Sequence, residues 1–210
     1  MSSTPNRIRV LVADDHPMMR DGIATALAAQ ADLEVVGEAS DGHEALEKFR
    51  ALRPDVTLLD LSMPELDGLQ TLVAIRQLVA DARVVMLTTY KGDALANRAL
   101  KAGALGYLLK TTLRADLVKA IRAAYAGQRY MPAEVALAIA DHVGRKDLSA
   151  REIEILRKVA SGLSNKQIAR QLGVSDDTIK AHLRNSFDKL NVSDRSHAVA
   201  LAIERGFFKL

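Results

Sequence analysis

Apolar residues along this chain follow two alternating rhythms. Ile8 to Ala13, Leu33 to Ala39, the run Val56-Thr57-Leu58-Leu59-Asp60, Arg83 to Thr88 and Gly106 to Lys110 are short, nearly continuous apolar or β-branched stretches. That is the pattern of strands buried on both faces of a sheet. Between them, apolar residues recur at helical spacing over Met18 to Ala29, Gly42 to Leu52, Leu69 to Leu78, Ala94 to Ala102 and Leu113 to Ala126. In the last of these, Leu113, Leu117, Ile121 and Ala124 form an inward stripe. Five strands alternating with helices through short turns predict a parallel sheet covered on both faces, an α/β doubly wound fold.

From Leu148 onward the rhythm is helical throughout. Ser149 with Glu152 has the form of a capping box, and Ile153, Leu156, Val159 and Ala160 line one face of the helix it starts. Gly162 ends that helix, Ser164 to Leu172 is the next, Gly173 turns the chain, and Ser175 caps a third running towards Leu190. Asp194 to Arg205 is the last. Residues 126–147 carry Pro132, a short apolar helix around Ala133 to Ile139, and the polar Gly144-Arg145-Lys146-Asp147, and read as a linker. The expected division is a doubly wound domain over 7–125, a linker with one helix over 126–147, and a small all-α domain over 148–210.

Composition changes this picture in three ways. Cysteine is absent from the 210 residues, which excludes a disulfide framework and thiol chemistry and fits a reducing compartment. No tract approaches the roughly 20 consecutive apolar residues that span a bilayer, and residues 1–9 lack an apolar signal-peptide core. A cytoplasmic protein without a membrane partner is expected. Charge is uneven: residues 1–124 hold 15 Lys+Arg against 16 Asp+Glu, residues 125–210 hold 14 against 10. The basic second part points towards nucleic acid.

In an open parallel sheet all strands present their carboxyl ends at one edge, so Asp14, Asp15, Asp60, Thr88 and Lys110 should converge in one crevice. Three acids sharing a pocket repel one another unless a cation sits among them. Mg2+ suits a few carboxylates plus water and a phosphoryl group. With that charge neutralised, Asp60 can act as a nucleophile towards phosphorus, while Lys110 and the hydroxyl of Thr88, or of its neighbour Thr89, pair with phosphoryl oxygens. The product is an aspartyl phosphate.

Asp14-Asp15, Asp60, Thr88 and Lys110, with Tyr107 three residues before the lysine, resemble the receiver domain of two-component response regulators. The resemblance implies that Asp14, Asp15 and Asp60 ligate Mg2+ together with the carbonyl of Ser62, and that Asp60 accepts its phosphoryl group from a sensor histidine kinase. It also implies that Thr88 and Tyr107 form the switch, the hydroxyl moving towards the phosphoryl group and the ring following. Thr111 departs from the pattern, since many receivers carry proline after the lysine.

In the second part, Ser164 to Leu172 and Ser175 onward are two helices with a tight turn between them, the arrangement that lays a second helix in the DNA major groove. On that helix Thr178, Lys180, Ala181 and Arg184 can face outwards together, while Ile179, Leu183 and Phe187 face the core. Leu148-Ser149-x-Arg151-Glu152, Gly162-x-Ser164-Asn165-Lys166, and Ser175-x-x-Thr178-Ile179-Lys180-x-His182 followed by Lys189-Leu190 resemble the LuxR-type DNA-binding domain. The whole chain is thus similar to the NarL/FixJ subfamily of response regulators. That resemblance implies that Lys180, Ala181 and Arg184 read bases, that Asn165, Lys166, Thr178 and His182 hold the backbone, and that phosphorylation promotes a homodimer on its operator, with RNA polymerase as a further partner. Ser186 stands where a larger apolar residue is usual and Asp188 where a neutral or basic one is common.

Two other readings compete. A magnesium-dependent phosphohydrolase of the haloacid-dehalogenase type would carry Asp-x-Asp at its first strand, whereas here the first-strand acids are adjacent and Asp60 is followed by Leu61-Ser62. A regulator of the same architecture that needs no phosphate is the other. The expectation is a phosphorylation-switched transcriptional regulator and not an enzyme.

Overall fold

The protein was analysed as a computed structural model that describes residues 7–89, 93–141 and 147–208. The strands β1 (Ile8–Ala13), β2 (Leu33–Ala39), β3 (Val56–Asp60), β4 (Val84–Thr88) and β5 (Gly106–Leu109) form one sheet in the order β2-β1-β3-β4-β5, and every pairing is parallel. This is the doubly wound, flavodoxin-like order, with its reversal beside β1 and β3. β3 and β4 are buried along their whole length, which accounts for their unbroken apolar sequence. The helices α1 (Pro17–Ala28), α2 (Gly42–Leu52), α3 (Gly68–Leu78), α4 (Asp93–Lys101) and α5 (Leu113–Tyr125) alternate with the strands. The stripe expected on α5 is buried, Leu113, Leu117, Ile121 and Ala124 all lying in the core beside Val10, Leu58 and Leu87.

Local chemistry sets the helix starts. Pro17 opens α1 one residue earlier than apolar spacing suggests, because its ring already holds the backbone angle that a first helical residue needs. Asp67 and Gln70 make a reciprocal capping box at the start of α3. The outer edge of β5 is partly covered by chain from beyond α5: the Tyr130 amide donates to the Leu105 carbonyl at 2.9 Å, and the Tyr107 amide donates to the Tyr130 carbonyl at 3.0 Å. Part of the stretch expected to be linker therefore satisfies backbone groups that a sheet edge leaves open.

The remaining helices are α6 (Ala133–Asp141), α7 (Ala150–Ala160), α8 (Asn165–Leu172), α9 (Asp176–Leu190) and α10 (Arg195–Glu204). Residues 142–146 of the expected linker lie outside the described residues. The chain separates into two compact units, one drawn from residues 1–89 and 97–136, the other from 90–96 and 137–210. In the second unit Leu148, Leu156, Ile168, Ile179, Leu183, Leu190, Ala198 and Ala202 share one core.

The buried face of α7 differs from the expected stripe. Glu152, Ile155, Leu156 and Val159 are buried, while Ile153 and Ala160 are only partly covered. The Glu152 carboxylate on this face accepts the Ser149 amide at 2.6 Å and the Lys189 ammonium at 2.7 Å, and Ile155, three residues on, shares the face with it. Apolar spacing alone does not anticipate an acid on the inner face.

Candidate functional site

Strand register brings the expected residues of the first unit to one edge. Ala13 lies opposite Leu59, Asp60 opposite Leu87, and Thr88 opposite Leu109, so Asp14, Asp60, Thr88 and Lys110 stand side by side at adjoining strand tips. Asp14, Asp60 and Thr88 are essentially buried. The Lys110 ammonium lies 2.8 Å from Asp14 Oδ2 and 2.9 Å from Asp60 Oδ2, spanning the two acids. The Asp60 carboxyl also takes a hydrogen bond from the Ser62 amide. Asp15 is more open, and its Oδ1 lies 2.5 Å from Nδ1 of His16.

Burial pushes the Asp60 carboxyl above its ordinary value; Lys110 pulls the other way, and the charge on Asp14 adds to the rise. Burial also opposes the charge on Lys110, but hydrogen bonds and attraction from Asp14 and Asp60 outweigh it and hold its pKa up. Two acids beside one ammonium leave negative charge in excess. Ligand atoms of Asp14, Asp15, His16 and Asp60 all lie within 4.8 Å of one another. Three of the four are carboxylates, hard oxygen donors whose shared negative charge fits a magnesium ion. Ser62 follows two residues after Asp60 and is half-buried.

Tyr107 is fully buried, and its hydroxyl is hydrogen-bonded to the side chain of Thr88. Burial raises the phenol pKa. There is no cis peptide among the described residues, so Thr111 follows Lys110 through an ordinary trans bond.

Sequence reasoning overlooked two neighbours of this crevice. His16 immediately follows the acid pair, and its amide donates to Asp14 Oδ1 at 3.0 Å, which orients that carboxylate. Gly68 opens α3 against the backbone of Asp60: a Cβ there would sit 2.0 Å from the Asp60 carbonyl oxygen. A glycine between a capping Asp67 and an apolar helix was the available signal.

In the second unit, α8 ends at Gly173 in a left-handed conformation (φ 65°), and Ser175 caps α9. Lys180, Ala181 and Arg184 are exposed on α9, while Ile179 and Leu183 are buried and Phe187 is partly so. Thr178 and His182 are half-buried, and the Thr178 hydroxyl is 2.8 Å from that of Ser175. Lys180 is drawn to two acids on its own helix, Asp176 at 2.8 Å and Asp177 at 3.1 Å. Ser186 is fully buried and donates to the His182 carbonyl at 2.8 Å, so its small polar side chain is satisfied in place. Asp188 is exposed, as is Lys166; Asn165 is half-buried at the start of α8.

Residues 10–122 match the response regulator receiver domain, and residues 146–202 match the bacterial regulatory proteins of the luxR family. A probable transcriptional regulatory protein NarL of Mycobacterium tuberculosis is 39% identical over 207 residues, covering 96% of each chain. The transcriptional regulatory protein LiaR of Bacillus subtilis is 41% identical over 203 residues, 93% of this chain and 96% of LiaR. Among solved structures, the response regulator RcsB in complex with DNA is 28% identical with a TM-score of 0.71, over 95% of this chain and 99% of that one. The chain belongs to the two-component response regulators that join a receiver domain to a LuxR-type DNA-binding domain. No helix among the described residues is long and apolar enough to cross a membrane.

Proposed function

We propose that this regulator is switched by phosphorylation of Asp60. The supporting observation is the buried Asp60 carboxylate at a strand tip, with Lys110 spanning it and Asp14. An Asp60 carboxylate oxygen attacks phosphorus of a phosphohistidine on a sensor kinase; the P–O bond forms, the P–N bond breaks, and the imidazole leaves with its electron pair. Asp14, Asp15, Asp60 and the Ser62 carbonyl hold a magnesium ion, whose charge offsets that of the phosphoryl oxygens. Lys110 pairs with one of those oxygens. Thr88 turns to another, which breaks its bond to Tyr107 and frees the ring to move.

In this reading residues 7–125 are the receiver, 126–147 the linker and 148–210 the DNA-binding domain of a cytoplasmic protein. α9 enters the major groove of an operator with Lys180, Ala181 and Arg184 facing base edges, while Asn165, Lys166, Thr178 and His182 hold the backbone. The exposure of the first three supports this, as does the likeness to RcsB, which has been solved bound to DNA. Phosphorylation favours a homodimer on paired half-sites, from which RNA polymerase is contacted.

Treatment with acetyl phosphate and Mg2+ tests the switch. Intact mass should rise by one phosphoryl group in the native protein and not in Asp60→Asn, and only the native protein should then gain DNA affinity and dimerise. An Asp60→Asn variant that responds like the native protein would falsify the proposal. Sustained turnover of a chromogenic phosphomonoester would instead favour the phosphohydrolase reading.

A further inference from the structure

Arg195, the first residue of α10, reaches back 30 positions to the start of α8. Its Nη1 donates to Oδ1 of Asn165 at 3.1 Å, and its Nη2 donates to the Leu163 carbonyl. Asn165 is the first residue of α8, immediately after the capping Ser164. Asn165, Lys180, Arg184 and Arg195 border one open groove of about 500 Å3 beside α9. No pattern in the sequence joins Arg195 to the residues expected to meet DNA.

The chemistry of the amide makes this contact directional. An asparagine side chain has an oxygen that only accepts and a nitrogen that only donates, and a guanidinium only donates. Arg195 therefore fixes which end of Asn165 faces it: the oxygen is taken, and both Nδ2–H donors remain for another partner. A DNA phosphate offers acceptors alone, so only this orientation of Asn165 can bind one. Freed from Arg195, the amide could turn its oxygen towards the phosphate and repel it. The bond to Leu163 holds the turn before α8, so the helix N-terminus, where unpaired backbone amides favour an anion, keeps its position as well.

We infer that Arg195 is a positioning residue for DNA binding, one that presets the Asn165 amide as a donor to a backbone phosphate. The inference rests on the reading of Asn165 as a backbone contact. A purely structural tie between α10 and the turn before α8 would need the same contacts but would not care which end of the amide is left free, and this separates the two.

The test uses full-length protein treated with acetyl phosphate and Mg2+, a mixed-sequence DNA duplex, and affinity measured across a salt series, with thermal melting as the control for folding. Asn165→Ala should weaken binding about tenfold, the size expected for losing a hydrogen bond to a charged group. Arg195→Lys, which keeps the charge but not the fork of donors, should weaken it similarly. The double variant should lie within about twofold of the weaker single variant, because both changes remove one contact. Asn165→Asp keeps an acceptor for Arg195 and removes the donors, so it should melt no lower than the native protein yet bind worse than Asn165→Ala. Multiplicative losses in the double variant, or native-like binding by Asn165→Asp, would overturn the inference. If Arg195→Lys melts early, the Asn165→Asp result decides alone. Native binding by Asn165→Ala would sink the backbone-contact reading and this inference with it, whereas a native protein that shows no salt-dependent binding sinks the DNA reading itself.

Discussion

The hydroxyl of Tyr107 is buried against the side chain of Thr88, so the residue expected to meet a phosphoryl group and the ring expected to follow it are already joined. Replacing Tyr107 by Phe removes that bond alone and should cost about 1 kcal/mol of receiver stability. Thr88→Val keeps the volume and removes the hydroxyl. It should still take up phosphate at Asp60, but phosphorylation should no longer raise DNA affinity. Intact mass and a DNA titration on the same sample give both readings.

Asp60 is a buried acid whose carboxyl is raised above the ordinary 3.8, chiefly by burial. Between 3.8 and the folded value the folded chain binds more protons than the unfolded one, so stability falls as pH climbs through that window and stays lower above it. Asp60→Asn has no such penalty. At neutral pH and without Mg2+ it should be more stable than the native protein. The advantage should shrink as pH falls from the folded value to 3.8, and also when Mg2+ is added, since only the native site gains by binding it. Denaturant melts at several pH values, with and without the ion, measure each part.

Gly68 has no space for a side chain, because an added Cβ would meet the Asp60 carbonyl oxygen at 2.0 Å and its carbon at 2.8 Å. Both obstacles are backbone, which cannot turn aside as a flexible side chain can. Gly68→Ala should destabilise the receiver by about 2–4 kcal/mol and slow phosphate uptake by displacing Asp60. Gly22, exposed inside α1, is the control: nothing lies within 4 Å of its added Cβ, so Gly22→Ala should raise melting slightly, by up to about 1 kcal/mol, and leave uptake unchanged.

Glu152 ties the start of α7 to Lys189 near the end of α9, and its carboxyl is held below the ordinary 4.5. Burial would raise it, but the bonds from Lys189 and Ser149 prevail. With a lowered folded pKa the stabilisation is present above 4.5 and is lost as pH falls towards the folded value. Glu152→Ala should destabilise the DNA-binding domain by about 2–3 kcal/mol at neutral pH. Glu152→Gln, which retains the capping box, should lose less. Melting of the two variants beside the native protein across acid pH checks both the size and the direction.

Local pattern was enough for much of this protein. Continuous apolar runs define β3 and β4 because a strand covered on both faces has no polar side to show, and the recurrence of apolar residues every three to four positions defines α5 for the equivalent reason. Since parallel strands must point the same way, the acids at their ends could be assigned to one crevice before any distance was known. Motifs with fixed spacing, such as the capping box at Ser149, were equally legible because both partners lie within a single helical turn.

What packing alone decided are pairings between residues far apart in the chain. Lys110 spanning Asp14 and Asp60, Gly68 pressed on the Asp60 carbonyl, Glu152 drawn inward to Lys189, and Arg195 holding Asn165 all depend on how separate elements settle against one another. Periodicity reports which face of an element is apolar; it carries no information about which polar group on another element will meet it. Ile155 shows the limit within a single helix, where the buried face runs through Glu152, Ile155, Leu156 and Val159 and not through Ile153.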